Sequence, residues 1–202
     1  MTVFPRFHHW RAPLRRRPAL LLAAALLGAL PARAAAPLTE ETVAAMGSFM
    51  QVCARVLTGG DSLAAALEAG FAEVPAERAR AMLRGGAGRV LVAQGPAVGG
   101  IVLILSERPA GCSMRLQRMD VETAEPLFVR LAERVARPGL TVTRAFDGTV
   151  AVPNAGPARQ ITFRVSPGER AASDFALAFT GNADPTAGTQ GVFTFGTLAP
   201  RR

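Results

Sequence analysis

The sequence lacks several side chains on which enzymes most often depend. It contains no lysine and no tyrosine, so all 23 residues of the Lys+Arg total are arginine. Its two histidines, His8 and His9, and its single tryptophan, Trp10, all stand within the first ten residues. Without that segment, the chain has no histidine for a Ser-His-Asp triad or a zinc site. It also has no lysine for a Schiff base or a phosphate-binding loop.

The first 34 residues have the three-part order of a cleavable export signal. An arginine-rich head is followed by 12 apolar residues, Ala19 to Leu30, and then by the small-residue segment Ala32-Arg33-Ala34. A helix needs roughly 20 apolar residues to span a bilayer, so this run is too short to remain as an anchor. The pattern predicts cleavage after Ala34, with Ala36 as a second site. General export is the default route, and Arg15-Arg16-Arg17 leaves the twin-arginine route open.

Cleavage would change the meaning of the net charge, which is +8 for the whole sequence. Six of the 23 arginines lie in the predicted signal, which leaves 17 basic residues against 15 acidic ones. The remaining arginines are scattered, and only Arg201-Arg202 are adjacent. A nearly neutral domain without a basic run does not favour nucleic acid as a partner.

Two cysteines, Cys53 and Cys112, remain after cleavage. In an oxidising compartment, a single pair favours a structural disulfide. A redox-active pair is usually Cys-x-x-Cys, and the wide separation here argues against that alternative. We therefore predict a Cys53–Cys112 bond and a protein that is periplasmic or secreted.

The residues after Ala34 suit a single domain, 35–202, whose N-terminal third is helical. The first predicted helix begins at Thr39 and ends at Gly59-Gly60; its apolar stripe comprises Val43, Met46, Met50, Cys53 and Leu57. Asp61 caps a second helix, whose predicted buried residues are Leu63, Ala66, Leu67 and Phe71. A third helix runs from Pro75 to Leu83, before Gly85-Gly86.

Strand patterns begin at Gly88. Residues 89–93, 99–105 and 112–119 predict an antiparallel meander, in which the continuous apolar run 99–105 is covered on both faces. In its third strand, Cys112, Met114 and Leu116 alternate inward. Residues 122–137 return to helical period, with Thr123 as the expected cap so that Pro126 falls in the first turn.

Four further strands are predicted near residues 140–146, 160–165, 174–180 and 190–198, with turns such as Asp147-Gly148 between them. The element order predicts an α+β fold with a helical N-terminal third packed on a mainly antiparallel sheet. One further helix stands between a three-strand meander and about four C-terminal strands.

Patterns for metal or acid–base chemistry are weak. Asp147-Gly148 and the loop 181–188 offer oxygen ligands, but turn formation explains the same residues. The carboxylates considered as acid–base pairs are Glu68 with Glu73, and Asp120 with Glu122 and Glu125. Such residues are common in first turns and on solvated faces. We therefore assign no catalytic, cofactor-binding or metal-ligating residue, and expect no cofactor.

One basic set does suggest a partner-binding patch, and its members are Arg115, Arg118, Arg130, Arg134 and Arg137. The last three share a helix face with Glu133, at spacings of three, four and seven. That face is either a solvated surface with a Glu133–Arg137 pair or a docking surface for an acidic partner.

These observations predict an exported, disulfide-bonded accessory protein that binds a macromolecular partner without catalysis. The partner is an envelope protein or an anionic envelope component, and no stable membrane anchor remains after cleavage. The alternative is a carboxylate-based hydrolase or lyase of the cell envelope. Two carboxylates in one cleft would favour the enzyme, and an exposed apolar or basic patch would favour the binding protein.

Overall fold

A computed structural model of the chain describes residues 38–93, 100–153, 155–168 and 173–200; the predicted export signal lies outside these ranges. Its helices are α1 Leu38–Cys53, α2 Arg55–Thr58, α3 Ser62–Glu68, α4 Ala76–Leu83 and α5 Val121–Val135. Its strands are β1 Phe71–Glu73, β2 Gly88–Ala93, β3 Ile101–Glu107, β4 Ala110–Leu116, β5 Thr141–Val152, β6 Gly156–Ser166, β7 Ser173–Gly181 and β8 Gly191–Pro200. The predicted α+β class is confirmed.

All strands of the described ranges join one antiparallel sheet in the order β1-β2-β3-β4-β8-β7-β6-β5. The first four strands form one meander and the last four another, with α5 between them in the chain. The two meanders meet where β4 pairs with β8, so that Cys112 lies opposite Phe195 and Met114 opposite Phe193. The predicted three-strand meander is confirmed, with β1 added at its outer edge.

Alternation along β4 separates two faces of the sheet. Cys112, Met114 and Leu116 are buried in the main core, on the side that α1 and α5 cover. We call this side the helical face. Ser113 and Arg115 lie on the other side, which we call the open face. The predicted inward alternation of this strand is confirmed.

The main core is built from aromatic rings between α5, α1 and the sheet. Phe128 of α5 is fully buried, and its ring centroid lies 5.6 Å from that of Phe179 and 6.1 Å from that of Phe193. Phe49 of α1 reaches the same Phe193 at 5.5 Å. These contacts fix both helices on the helical face.

A smaller core lies on the open face at one end of the sheet. Ala79 of α4 packs there with Val90 and Ile104. Leu103, the neighbour of Ile104 on β3, belongs to the main core instead. The strand is therefore buried on both faces, as its continuous apolar sequence predicted.

The helical stripes differ from prediction in their rotation. Val43 of α1 and Leu67 of α3 are 48% and 50% exposed, although both were expected inside. Phe49 and Val52 occupy the deepest positions of α1, which turns Val43 to the edge of the buried face. Phe71 is buried, but in β1 rather than in a helix. The side chain of Leu57 lies outside the described residues.

The α5 helix begins earlier and ends earlier than predicted. Asp120 is its cap, and Thr123 donates to Asp120 rather than capping the helix itself, so Pro126 lies inside the helix. Ala136 is already extended, which takes Arg137 off the helix. Within the described ranges, Glu133 and Arg137 form no ion pair.

The predicted turn at Asp147-Gly148 is wrong. Strand β5 continues through it to Val152, with a register shift between Arg144 and Phe146. Asp147 makes ion pairs with Arg144 and Arg159, at 2.6 Å and 2.5 Å. These pairs hold the residue in a strand, where the dipeptide alone suggests a turn.

Candidate functional site

The disulfide joins the last residue of α1 to the third residue of β4. Cys53 and Cys112 are bonded, with their Cα atoms 5.4 Å apart, and each is 1% exposed. The predicted pairing is confirmed. It fastens the C-terminal end of α1 to the middle of the sheet.

Asp120 fastens the other end of α1. Its carboxylate accepts from the Thr39 hydroxyl at 2.7 Å and from the Thr123 hydroxyl at 2.7 Å, and its backbone N–H donates to the Thr42 hydroxyl at 3.0 Å. Because Thr39 and Thr42 lie in the first turns of α1 and Asp120 caps α5, the two helices begin together. Near their other ends, Cys53 and Val135 line one small cavity, so the helices run parallel.

The hydrogen bond from Thr39 is the largest cause that holds the pKa of Asp120 below its ordinary value, followed by those from Thr123. A carboxyl group whose pKa is lowered on folding stabilises the folded state at pH values above its unfolded-state pKa. This stabilisation is lost as the pH falls through the folded-state pKa. We therefore expect Asp120→Asn to lower the urea midpoint at pH 7 and to lose less stability than wild type as the pH falls below about 4, the ordinary pKa of an aspartate carboxyl group.

The matched variant for this prediction is Thr39→Val, which removes only the first donor and keeps the side-chain volume. Its pH dependence should fall between those of wild type and Asp120→Asn. An unaltered acid limb in Asp120→Asn would contradict the role given to this carboxylate.

Between the two parallel helices lies a groove of about 250 Å³. We call it the helix-pair groove, and it is lined by Val43, Met46, Gly47, Met50, Leu127, Arg130, Leu131 and Arg134. Each helix contributes residues at positions i, i+3, i+4 and i+7, which form one face of an α-helix. Gly47 faces open space in the groove, since a Cβ at this position would meet no heavy atom within 4 Å.

The five predicted patch arginines do not form one surface. Arg130 and Arg134 line the helix-pair groove together. Arg115 lines a cleft on the open face, because strand alternation turns it away from Cys112 and Met114. Arg118 is exposed after β4, and Arg137 pairs through its backbone with Leu140. Of the predicted set, Arg130 and Arg134 are therefore neighbours on one side of the groove.

Four of the candidate acid–base carboxylates are either ion-paired or exposed. Glu73 pairs with Arg89 at 2.8 Å, and Glu125 pairs with Arg159 at 2.9 Å. Arg159 also holds the pKa of Asp147 below its ordinary value, chiefly through their hydrogen bond. Glu68 and Glu122 are exposed. In the part of the chain that the structure describes, no three His, Cys, Asp or Glu side chains gather as a metal site.

Asp184, in the loop considered for metal binding, accepts hydrogen bonds from the backbone and hydroxyl of Thr186, which lower its pKa. The arrangement is that of a loop capped by its own carboxylate. Such a carboxylate stabilises the local turn.

Sequence reasoning missed the groove itself. The signal that could have found it is Gly47, a glycine in the middle of an apolar helix face, together with Leu127 beside Arg130 and Arg134. The tertiary packing of α1 beside α5 was needed to bring these positions together.

None of the described helices is long and apolar enough to cross a bilayer. Comparison with protein-family models, with curated proteins and with solved structures finds no match for this chain.

Proposed function

We propose that this protein is an exported, non-catalytic accessory protein that binds an acidic amphipathic helix of an envelope protein in the helix-pair groove. The observation that carries the proposal is an apolar groove flanked by two arginines that make no ion pair within the described ranges. The disulfide is compatible with export, because such bonds persist in oxidising compartments.

The apolar lining suits a helical ligand. Val43 is 48% exposed, and Met46 and Met50 continue its row along α1. Methionine side chains adapt to irregular partners and are frequent on helix-binding surfaces. Two parallel helices with the same residue spacing offer a channel into which a third helix can lay its apolar face.

The positive charges beside the groove favour a negatively charged partner. Arg130 and Arg134 are one helical turn apart and exposed on the α5 side of the groove. Aspartate or glutamate beside the apolar face of a partner helix would complement them and set its orientation. A second copy that docked groove to groove would instead bring arginines close to arginines, which disfavours that mode of self-association.

The proposal can be tested by photo-crosslinking in the cell that exports the protein. A photoreactive residue at Val43 should yield one dominant partner, and the crosslinked segment should be acidic and have apolar residues at helical spacing. The same residue at Thr143, exposed on β5, should not capture that partner.

Two variants connect the crosslink to the groove. Gly47→Leu should fill the groove without a clash in the fold, because this position faces open space. Arg130→Gln with Arg134→Gln should remove the charge. Each should reduce the Val43 crosslink by about tenfold, whereas Arg118→Gln should leave it unchanged. A crosslink that survives both variants, a basic captured segment or no crosslink at Val43 would each overturn the proposal.

A further inference from the structure

A larger cleft of about 650 Å³ lies on the open face. Its floor is formed by Ile104 of β3, Ser113 and Arg115 of β4 and Val192 of β8. One wall is the C-terminal end of α4, with Leu83 and Arg84. We call this the open-face cleft. It lies on the opposite side of the sheet from the helix-pair groove.

The remaining wall comes from two loops that buried amide side chains hold together. Val152, Pro153 and Ala155 at the tip of the β5–β6 hairpin line the cleft beside Gly188 and Thr189 of the β7–β8 loop. Asn182, 6% exposed, donates from Nδ2 to the Ala155 carbonyl at 2.5 Å and accepts at Oδ1 from the Asp184 backbone N–H at 2.9 Å.

Gln190 completes this wall. It is 8% exposed, its side-chain oxygen accepts from the Met119 backbone N–H at 2.9 Å, and its Nε2 donates to the Asp184 carbonyl at 3.2 Å. Ala155 and the β7–β8 loop are therefore fixed relative to β4. A preformed wall is expected of a small-molecule site.

Arg84 stands at the cleft in a backbone conformation that favours glycine. Its φ is 49° and its ψ is 38°. Among the residues that the structure describes, it is the one non-glycine residue with a positive φ. Glycine is the usual residue at this left-handed position after a helix. An arginine here opposes the local preference, and a residue that does so beside a cleft suggests a function for its side chain.

Arg115 supplies a second cation, on the floor of the cleft. It is half-buried on β4, with Val102 and Val192 as its strand neighbours. Within the described ranges, neither Arg115 nor Arg84 makes an ion pair. Arg84 is exposed, and a guanidinium without a counter-charge can bind a carboxylate or phosphate through two parallel hydrogen bonds.

We propose that the open-face cleft binds a small organic anion. Its carboxylate or phosphate group lies at Arg84 and Arg115, with the Ser113 hydroxyl nearby, and its apolar body packs against Leu83, Ile104 and Val192. The volume falls within the usual range of small-molecule sites, about 300–1,000 Å³. This site is independent of the helix-pair groove and of its partner.

Titration calorimetry of the exported protein with four probes tests the ligand class. Octanoate and octyl phosphate carry both an anion and an apolar chain, octanol carries the chain alone, and inorganic phosphate carries the charge alone. At least one of octanoate and octyl phosphate should bind at a single site. Octanol and inorganic phosphate should each bind at least about tenfold more weakly. The tighter of the first two identifies the anionic group.

Two variants locate the site. Arg84→Gly should weaken the organic anion by about tenfold or more without lowering the melting temperature, because glycine suits the left-handed backbone. Arg115→Met should weaken it similarly while keeping an apolar stem on the floor. Arg118→Gln, which lines neither the open-face cleft nor the helix-pair groove, should bind as wild type does. The proposal is overturned if neither organic anion binds, if octanol binds equally well, or if both cleft variants retain wild-type affinity.

Discussion

Replacement of Cys112 by serine should lower the free energy of unfolding by about 2–5 kcal/mol and leave ligand and partner binding nearly intact well below the melting temperature. The bond closes a loop with a sequence separation of 59 residues, for which the chain-entropy model gives about 4 kcal/mol. Because the bond ties the end of α1 to β4, hydrogen exchange should rise first in α1. Denaturant unfolding with exchange measurements checks both expectations.

A double-mutant cycle separates the bond from other effects of each substitution. Cys53→Ser should cost about as much as Cys112→Ser, and the double variant should cost little more than either, because all three lack the same bond. If Cys112→Ser keeps the wild-type melting temperature but loses binding, the pair has a functional rather than a structural role. Readily alkylated thiols in the native protein would contradict the bond itself.

The second large effect is expected from Phe128→Ala, which should lower the free energy of unfolding by about 3–5 kcal/mol. Its ring is fully buried and lies 6.0 Å from that of Phe163, 5.6 Å from that of Phe179 and 6.1 Å from that of Phe193. Truncation leaves a cavity between α5 and the sheet that the surrounding rings fill only in part. Urea unfolding measures the loss.

Phe146→Ala is the matched control, since it makes the same truncation at a side chain that is 41% exposed on β5. Its cost should remain within about 0.5 kcal/mol, as is usual for surface positions. Equal losses for the two variants would show that Phe128 does not occupy the centre of the core. A loss confined to Phe128 supports the packing of α5 described above.

The arginines illustrate a limit of reasoning from sequence. Arg115 and Arg130 stand 15 positions apart, on a strand and on the helix that follows it. The sequence pattern predicts an exposed cation at both positions. Which face of the sheet each occupies depends on where α1 and α5 pack. The structure places Arg130 in the helix-pair groove and Arg115 in the open-face cleft, so the predicted set is divided between two cavities. Arg84 gave no sequence signal, because a left-handed backbone at a non-glycine residue cannot be read from residue type.

What the sequence by itself determined is local. Alternation at Cys112, Met114 and Leu116 identified the buried side of β4, and the disulfide followed from a single pair of cysteines after the predicted signal. Hydrophobic alternation is a strong signal even in such short segments, because a shift of the strand by one residue would move all of its buried side chains to the other face of the sheet. The order of the predicted elements likewise indicated an α+β fold.

Only the tertiary structure decided the matters that depend on two distant segments. Asp120 rather than Thr123 caps α5, because its carboxylate also accepts from Thr39, 81 residues earlier. Asp147 extends β5 instead of forming a turn, because Arg159 on the neighbouring strand pairs with it. Val43 is exposed because Phe49 takes the position over Phe193. Local preferences are worth about 1 kcal/mol or less, whereas full burial of one large apolar side chain is worth about 1.5–3 kcal/mol.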